Sequence, residues 1–169
     1  MIQLLRMFVD IAIWRRGPQD LPASTILLWV VGGSYVMASA VQAAMRGWSA
    51  GATLLLLGID LSMQAVWLWV LLAFFSQRER FLQTFTAFLG VNVLLTVLDV
   101  VITGLFGSLG MAVIGPNHPW PFVSLIIMLL SLGRVLQQAL GRSLFLCMAL
   151  TLVIMLTIAF AAQGIVPGA

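Results

Sequence analysis

Hydrophobic and polar positions divide the chain into five long apolar segments separated by short polar ones. The apolar segments cover residues 24–45, 52–76, 82–106, 120–139 and 143–163. A helix rises about 1.5 Å per residue, so about 20 residues cross the ~30 Å hydrocarbon core of a bilayer. We therefore predict an all-α fold, a polytopic transmembrane bundle whose five spanning helices form a single domain over residues 21–169.

Residues 1–20 form a separate segment with a different pattern. Gln3, Arg6 and Asp10 recur at spacings of three and four residues, and apolar side chains occupy most positions between them. This pattern predicts an amphipathic helix that ends at Gly17. We expect the helix to lie in the cytoplasmic headgroup region, with its apolar face in lipid or against the bundle. The alternative is a simple extension that packs on the first spanning helix.

The composition is typical of a membrane protein. The chain is 62% hydrophobic and 8% charged, whereas soluble domains are about 45–50% apolar and about 25% charged. The basic residues are all arginine and lie beside apolar runs, so we expect the lipid bilayer, and not nucleic acid, as their partner. Ala38-Ser39-Ala40 resembles a signal cleavage site, but the apolar stretch before it is long, so we expect a retained N-terminus.

The distribution of arginine predicts the orientation of the bundle. With the N-terminus inside, the inside segments hold Arg6, Arg15, Arg16, Arg78, Arg80, Arg134 and Arg142, and the outside segments hold only Arg46. Positive residues accumulate on the cytoplasmic side of a bacterial inner membrane, so we predict a cytoplasmic N-terminus and an outside C-terminus. Apart from Arg6, the inside arginines are candidate contacts for lipid headgroups or a partner. Arg134 can instead extend to the headgroups without a specific contact.

Asp60 and Asp99 are the polar residues that most need an explanation, because both lie inside apolar segments. A charged side chain at the centre of a membrane costs about 2.5–3.5 kcal/mol on insertion scales. The charged segment 78–80 predicts a tight turn, and folding the chain back on that turn places both acids at nearly the same depth.

Three amide and hydroxyl residues extend the faces on which the two acids lie. Gln64 follows Asp60 by four residues, and Asn92, Thr96 and Asp99 are spaced by four and three. Residues at these spacings share one face of a helix. We therefore predict an intramembrane polar seam between two antiparallel helices, with Gln64 and Asn92 nearer the middle of the membrane than the acids.

Three arrangements would accommodate two facing carboxyl groups. They can share a proton, because proximity and burial both disfavour a second charge. They can line a water-filled cavity that admits protons or a cation. Alternatively, each can bind a separate partner, such as Arg46 near the outer boundary or a group on another chain. A proton or cation pathway is the functional interpretation, whereas polar bonding between helices, with neutral or paired acids, is the structural one.

The sequence contains none of the common catalytic signatures. It has no Gly-rich phosphate loop, no His-Glu-x-x-His, no Gly-x-Ser-x-Gly and no cysteine pair. The only histidine, His118, lies in a Pro-rich outer loop, where Trp120 is predicted to be an interfacial anchor. One histidine without nearby cysteine or acid is a poor metal site. We therefore expect no catalytic residue, metal site or cofactor, and a protein that is not an enzyme.

Small residues in the first spanning segment favour close contact between helices. Gly32, Gly33, Ser34 and Ala38 lie in this segment, and small side chains let membrane helices approach closely. Our leading hypothesis is an accessory, scaffold or assembly subunit that contacts a membrane-protein partner or a second copy. The competing hypothesis is a small proton- or cation-coupled permeation protein that uses Asp60 and Asp99.

The layout of a short amphipathic start, five spanning helices and compact loops resembles bacterial membrane proteins of the Yip1-like type. Residues 80–90, Arg-Phe-Leu-Gln-Thr-Phe-Thr-Ala-Phe-Leu-Gly, are similar to the entry to the third helix in that group. The resemblance implies a non-enzymatic integral membrane protein that associates with partners. The paired acids at positions 60 and 99 do not match a motif of that group.

Overall fold

The computed structural model describes residues 2–12, 15, 17–108 and 119–165. This part of the chain is all-helical, with helices α1 (Ile2–Ala12), α2 (Thr25–Met45), α3 (Ala50–Phe74), α4 (Phe81–Ser108), α5 (Trp120–Leu140) and α6 (Leu144–Ile165). Short 3₁₀ turns lie at Pro18–Asp20 and Arg78–Arg80. Helices α2 to α6 are long and apolar enough to cross a membrane, as the hydrophobic pattern predicts. The architecture is that of a multi-pass membrane protein.

Local capping sets several of the helix ends. Ser24 accepts a hydrogen bond from the Leu27 backbone N–H, and Ser49 caps α3 in the same way. These side chains satisfy N–H groups that have no partner inside the helix. At the other end of α5, Gly141 adopts a left-handed conformation with φ 65°, which glycine tolerates and which ends the helix. The observed ends of the spanning helices consequently lie close to the predicted ones.

Helix α4 is the centre of the bundle. It packs most extensively against α2, then against α5, and to a smaller extent against α1 and α3. Helix α3 packs mainly on α6, although the short Arg78–Arg80 turn joins it to α4. The antiparallel α3–α4 pair that the turn predicts is therefore present but is not the main contact of either helix.

Helix α1 packs against α4 through a close contact at a glycine. Phe8 and Ile11 are buried, and a Cβ built on Gly90 would overlap the Phe8 ring. The alternative in which α1 packs on the first spanning helix is therefore wrong, because its main contact is α4. The amphipathic character and interfacial position of α1 remain predictions.

The glycines of α2 do not mediate contacts within the bundle. Among the described residues, a Cβ built on Gly32 or Gly33 would meet no atom within 4 Å. The helices approach closely at Gly90 and at Gly133 instead, and a Cβ on Gly133 would lie 3.2 Å from the Met148 Cα of α6. The expected close contact at Gly32 and Gly33 is thus not made inside this chain. Ser34 is also exposed.

Candidate functional site

One face of α2 carries a row of polar side chains. Tyr35, Ser39, Gln42 and Arg46 are spaced by four, three and four residues, which places them on the same side of the helix. This row faces the helices that carry Asp60 and Asp99. Of its members, only Arg46 was predicted from the sequence as a partner of an acid, although the helical spacing of the other three was visible there.

Tyr35 binds the first of the two acids that lie within apolar helices. Its hydroxyl donates a hydrogen bond to Asp60 Oδ2 at 2.5 Å, within the range of hydroxyl–carboxylate bonds. Tyr35 is buried on α2 and Asp60 is half-buried on α3. The bond therefore links these two helices and gives the Asp60 carboxyl group a partner inside the bundle.

Asp99 accepts hydrogen bonds from two other helices. Gln42 Nε2 donates to Oδ2 at 2.7 Å, and Trp120 Nε1 donates to Oδ1 at 2.8 Å. Arg46 Nη2 lies 3.4 Å from Oδ2 and completes an ion pair. Since the donors lie in or directly after α2 and at the start of α5, the carboxylate of α4 joins three helices. Trp120, predicted as an interfacial anchor, is also a partner of this acid.

Gln64 and Asn92 form a direct link between α3 and α4. Asn92 Nδ2 donates to Gln64 Oε1 at 3.3 Å, and both side chains are buried. The structure thus brings these two seam residues together. It gives Asp60 and Asp99 separate partners on α2, as in the third of the three predicted arrangements. The reason is that α2, more than α3, packs on α4.

A cavity of about 370 Å³ lies beside Asp99 between α2, α4 and α5. Its polar lining includes Ser39, Gln42, Arg46 and Thr96, so the remaining seam residue also contributes to this site. A water molecule occupies about 30 Å³ in the liquid. The cavity is therefore large enough for a polar group of several heavy atoms.

Two of the arginines predicted to contact lipid or a partner lie over aromatic rings. The Arg78 guanidinium is 5.6 Å from the centre of the Trp69 ring, and that of Arg142 is 5.2 Å from the centre of Phe75. Such cation–π contacts contribute about 0.5–1 kcal/mol at exposed sites. These arginines therefore have an intramolecular role at the end of the bundle opposite the cavity.

The other candidate arginines lie in different surroundings. Arg134 is half-buried and donates through Nη1 to Gln137, while its buried Nε has no hydrogen-bond partner among the described residues. Arg15 and Arg80 are exposed. Arg16 and His118 lie outside the residues that the structure describes. Contacts of these arginines with lipid or a partner remain predictions.

The described residues contain no group of three or more His, Cys, Asp or Glu that could hold a metal ion. Comparison of the chain with protein-family models, with curated proteins and with solved structures finds no match. The resemblance to Yip1-like proteins therefore remains a prediction. The function has to be inferred from the geometry of the bundle.

Proposed function

We propose that this chain is a non-enzymatic protein of the bacterial inner membrane that acts as an accessory, scaffold or assembly subunit. In this proposal the N-terminus is cytoplasmic, the C-terminus is outside, and a partner helix or a second copy contacts the bundle. The observation that carries the proposal is the difference between the two faces of α2. One face carries Tyr35, Gln42 and Arg46, whose side chains contact the acids of α3 and α4. The opposite face is exposed.

The polar contacts support a structural role for the two acids. Asp60 and Asp99 each bind α2, and Gln64 binds Asn92 across α3 and α4. Polar contacts between membrane helices contribute about 0.6 kcal/mol each on average. The contacts of the two acids with Tyr35, Gln42 and Arg46 stabilise the rotation of α2 that turns its polar face into the bundle. The opposite side of α2 then faces away from the bundle.

The exposed face of α2 has the shape expected of a helix-docking surface. Trp29, Val30 and Met37 are exposed around Gly33, where no described side chain fills the space above the helix. A large side chain on either side of a glycine forms a shallow notch. In lipid, such notches let a second helix approach closely enough for extensive van der Waals contact.

Site-specific photo-cross-linking in native membranes would test this docking surface. A benzophenone amino acid at position 37 should give a protein adduct, and the same probe at position 160 on α6 should give little. The two positions are a matched pair, because Met37 is 73% exposed and Phe160 is 71% exposed. Mass spectrometry of the adduct would distinguish a second copy from another membrane protein. Equal adduct yields at both positions, or none at position 37, would contradict the proposal.

The second candidate function is proton- or cation-coupled permeation, which the cavity beside Asp99 favours. Arg46 opposes a cation there, since its positive charge lies 3.4 Å from the Asp99 carboxylate. Reconstituted vesicles with a pH-sensitive dye would distinguish the two functions. Permeation predicts a flux above that of empty vesicles that is lost in Asp60→Asn and Asp99→Asn. The scaffold proposal predicts no flux in any of the three proteins.

A further inference from the structure

The cavity between α2, α4 and α5 has walls of two kinds. Arg46, Asp99 and Gln42 provide charged and polar groups, whereas Leu98 and Leu125 provide apolar surface. A ligand that matches both parts must carry a polar group and an apolar group. This division is typical of sites for amphiphilic molecules, because each part of the ligand meets a wall of its own polarity.

The cavity is open on the side of the bundle. Helices α2 and α5 both pack on α4, and in the described chain they do not pack extensively on one another. Helix α4 is therefore the floor of a groove, with α2 and α5 as its walls. Leu98 and Leu125 line the groove and are themselves exposed, so a ligand can enter from the surrounding lipid.

Two polar groups of the cavity lie at the ends of spanning helices, and both contact Asp99, which lies within α4. Arg46 directly follows α2, and Trp120 is the first residue of α5. In a bilayer this depth corresponds to the boundary between hydrocarbon and headgroups, where tryptophan and arginine are favoured. The polar part of a bound lipid would reach the same depth.

The ion pair indicates which headgroup fits. Arg46 and Asp99 are 36% and 19% exposed and are joined by one contact of 3.4 Å, longer than a strong hydrogen bond. A ligand with both a phosphate and a primary ammonium group can pair with each of them, the phosphate with Arg46 and the ammonium with Asp99. An anionic headgroup without an amine would be repelled by the Asp99 carboxylate.

We propose that this cavity is a binding site for a phosphoethanolamine group. The source is either a zwitterionic phospholipid or a water-soluble glycerophosphoethanolamine. The Trp120 N–H donates to Asp99 Oδ1 and so holds the carboxylate in position, and Leu98 and Leu125 contact the first part of the acyl chains in the lipid case. The site lies on the face of α2 opposite the proposed docking surface, so each proposal can fail without the other.

Native mass spectrometry of the full chain in detergent tests the site with defined lipids. Phosphatidylethanolamine should be retained about tenfold more than phosphatidylglycerol, the difference expected from one charge-assisted contact. Asp99→Asn should remove this preference, and Arg46→Gln should weaken retention of both lipids. Glu79→Gln, in the Arg78–Arg80 turn at the other end of the bundle, is the matched control and should behave as the unmodified protein.

A second variant covers the case in which the charge substitutions prevent folding. Ser124 lines the cavity without contributing to the ion pair, and Ser124→Phe should fill the cavity and abolish retention of phosphatidylethanolamine. Competition by glycerophosphoethanolamine would show that the headgroup alone suffices, and its failure while the lipid binds would show that acyl chains are required. Two results would overturn the proposal. The first is equal retention of phosphatidylethanolamine by the cavity variants and the control. The second is an unmodified protein that does not prefer phosphatidylethanolamine to phosphatidylglycerol.

Discussion

The indole N–H of Trp120 donates to Asp99 Oδ1 at 2.8 Å and so joins the first residue of α5 to α4. The same carboxylate also accepts from Gln42, next to the end of α2. One acid within apolar sequence therefore connects three helices at one end of the bundle. The free-energy cost of placing the Asp99 carboxylate within an apolar helix is therefore offset by partners inside the chain.

Replacing Trp120 tests how much this bond contributes to stability. Trp120→Phe removes the N–H donor and should lower the free energy of unfolding by about 1 kcal/mol, since polar contacts between membrane helices contribute up to ~1.7 kcal/mol. The measurement is unfolding in mixed micelles with increasing SDS. Trp29→Phe is the control, because Trp29 is exposed on α2. Equal effects of the two substitutions would contradict the assigned bond.

A double-mutant cycle tests the bond between Tyr35 and Asp60. Tyr35→Phe and Asp60→Asn should each destabilise the protein, and the double variant should be less destabilised than the sum. We expect a coupling energy of about 0.6–1.7 kcal/mol, the range for interhelical polar pairs. SDS unfolding of the four proteins provides the measurement. The pair Tyr35→Phe and Asp99→Asn serves as the reference. If its coupling energy is as large as that of Tyr35 with Asp60, the Tyr35–Asp60 bond is not specific.

Adding one methyl group at Gly90 should displace α1. The new Cβ would overlap the Phe8 ring, and overpacking of this kind costs about 1–3 kcal/mol. Gly90→Ala should therefore speed proteolysis within α1 and lower the stability to SDS. Gly58→Ala is the control, because a Cβ at Gly58 would meet no described atom within 4 Å. Unchanged proteolysis in Gly90→Ala would mean that α1 does not pack here in the membrane.

The exposed notch on α2 should tolerate a large residue in the isolated chain but not in its assembly. Gly33→Leu fills open space, so the free energy of unfolding of the purified protein should not fall. The yield of the cross-link from position 37 should decrease by about tenfold if ~1.4 kcal/mol of contact is lost. Gly58→Leu, at another open glycine, should leave the yield unchanged. An undiminished adduct in Gly33→Leu would place the partner elsewhere.

Cysteine labelling tests the orientation that arginine distribution predicts. In a Cys147→Ser background, Gln163→Cys should react with a membrane-impermeant maleimide in intact spheroplasts. Glu79→Cys should react only after permeabilisation, because the Arg78–Arg80 turn is predicted to be cytoplasmic. Both positions are exposed in the bundle, so a difference in labelling reports the side of the membrane. The reverse labelling pattern would invert the topology.

The number of spanning helices and their approximate ends follow from the amino-acid sequence alone. Apolar length and local signals such as Ser24, Ser49 and Gly141 act within a few residues, so they can be recognised without the fold. The matching depth of Gln64 and Asn92 was also predictable, because it follows from reflection about the Arg78–Arg80 turn. The helix number, the helix ends and this matching depth can all be predicted because they depend only on how residues are spaced along the sequence.

Which helices meet, and therefore what each acid binds, depends on tertiary packing. Most faces of a membrane helix are apolar, so the periodicity that identifies the buried face of a soluble helix gives little information here. The position of α2 against α4 brings Tyr35 to Asp60 and Gln42 to Asp99. The same packing leaves Gly33 open and creates the cavity beside Asp99. The physical reason is that membrane helices associate largely through shape and van der Waals fit. A pattern of residue types does not encode that fit.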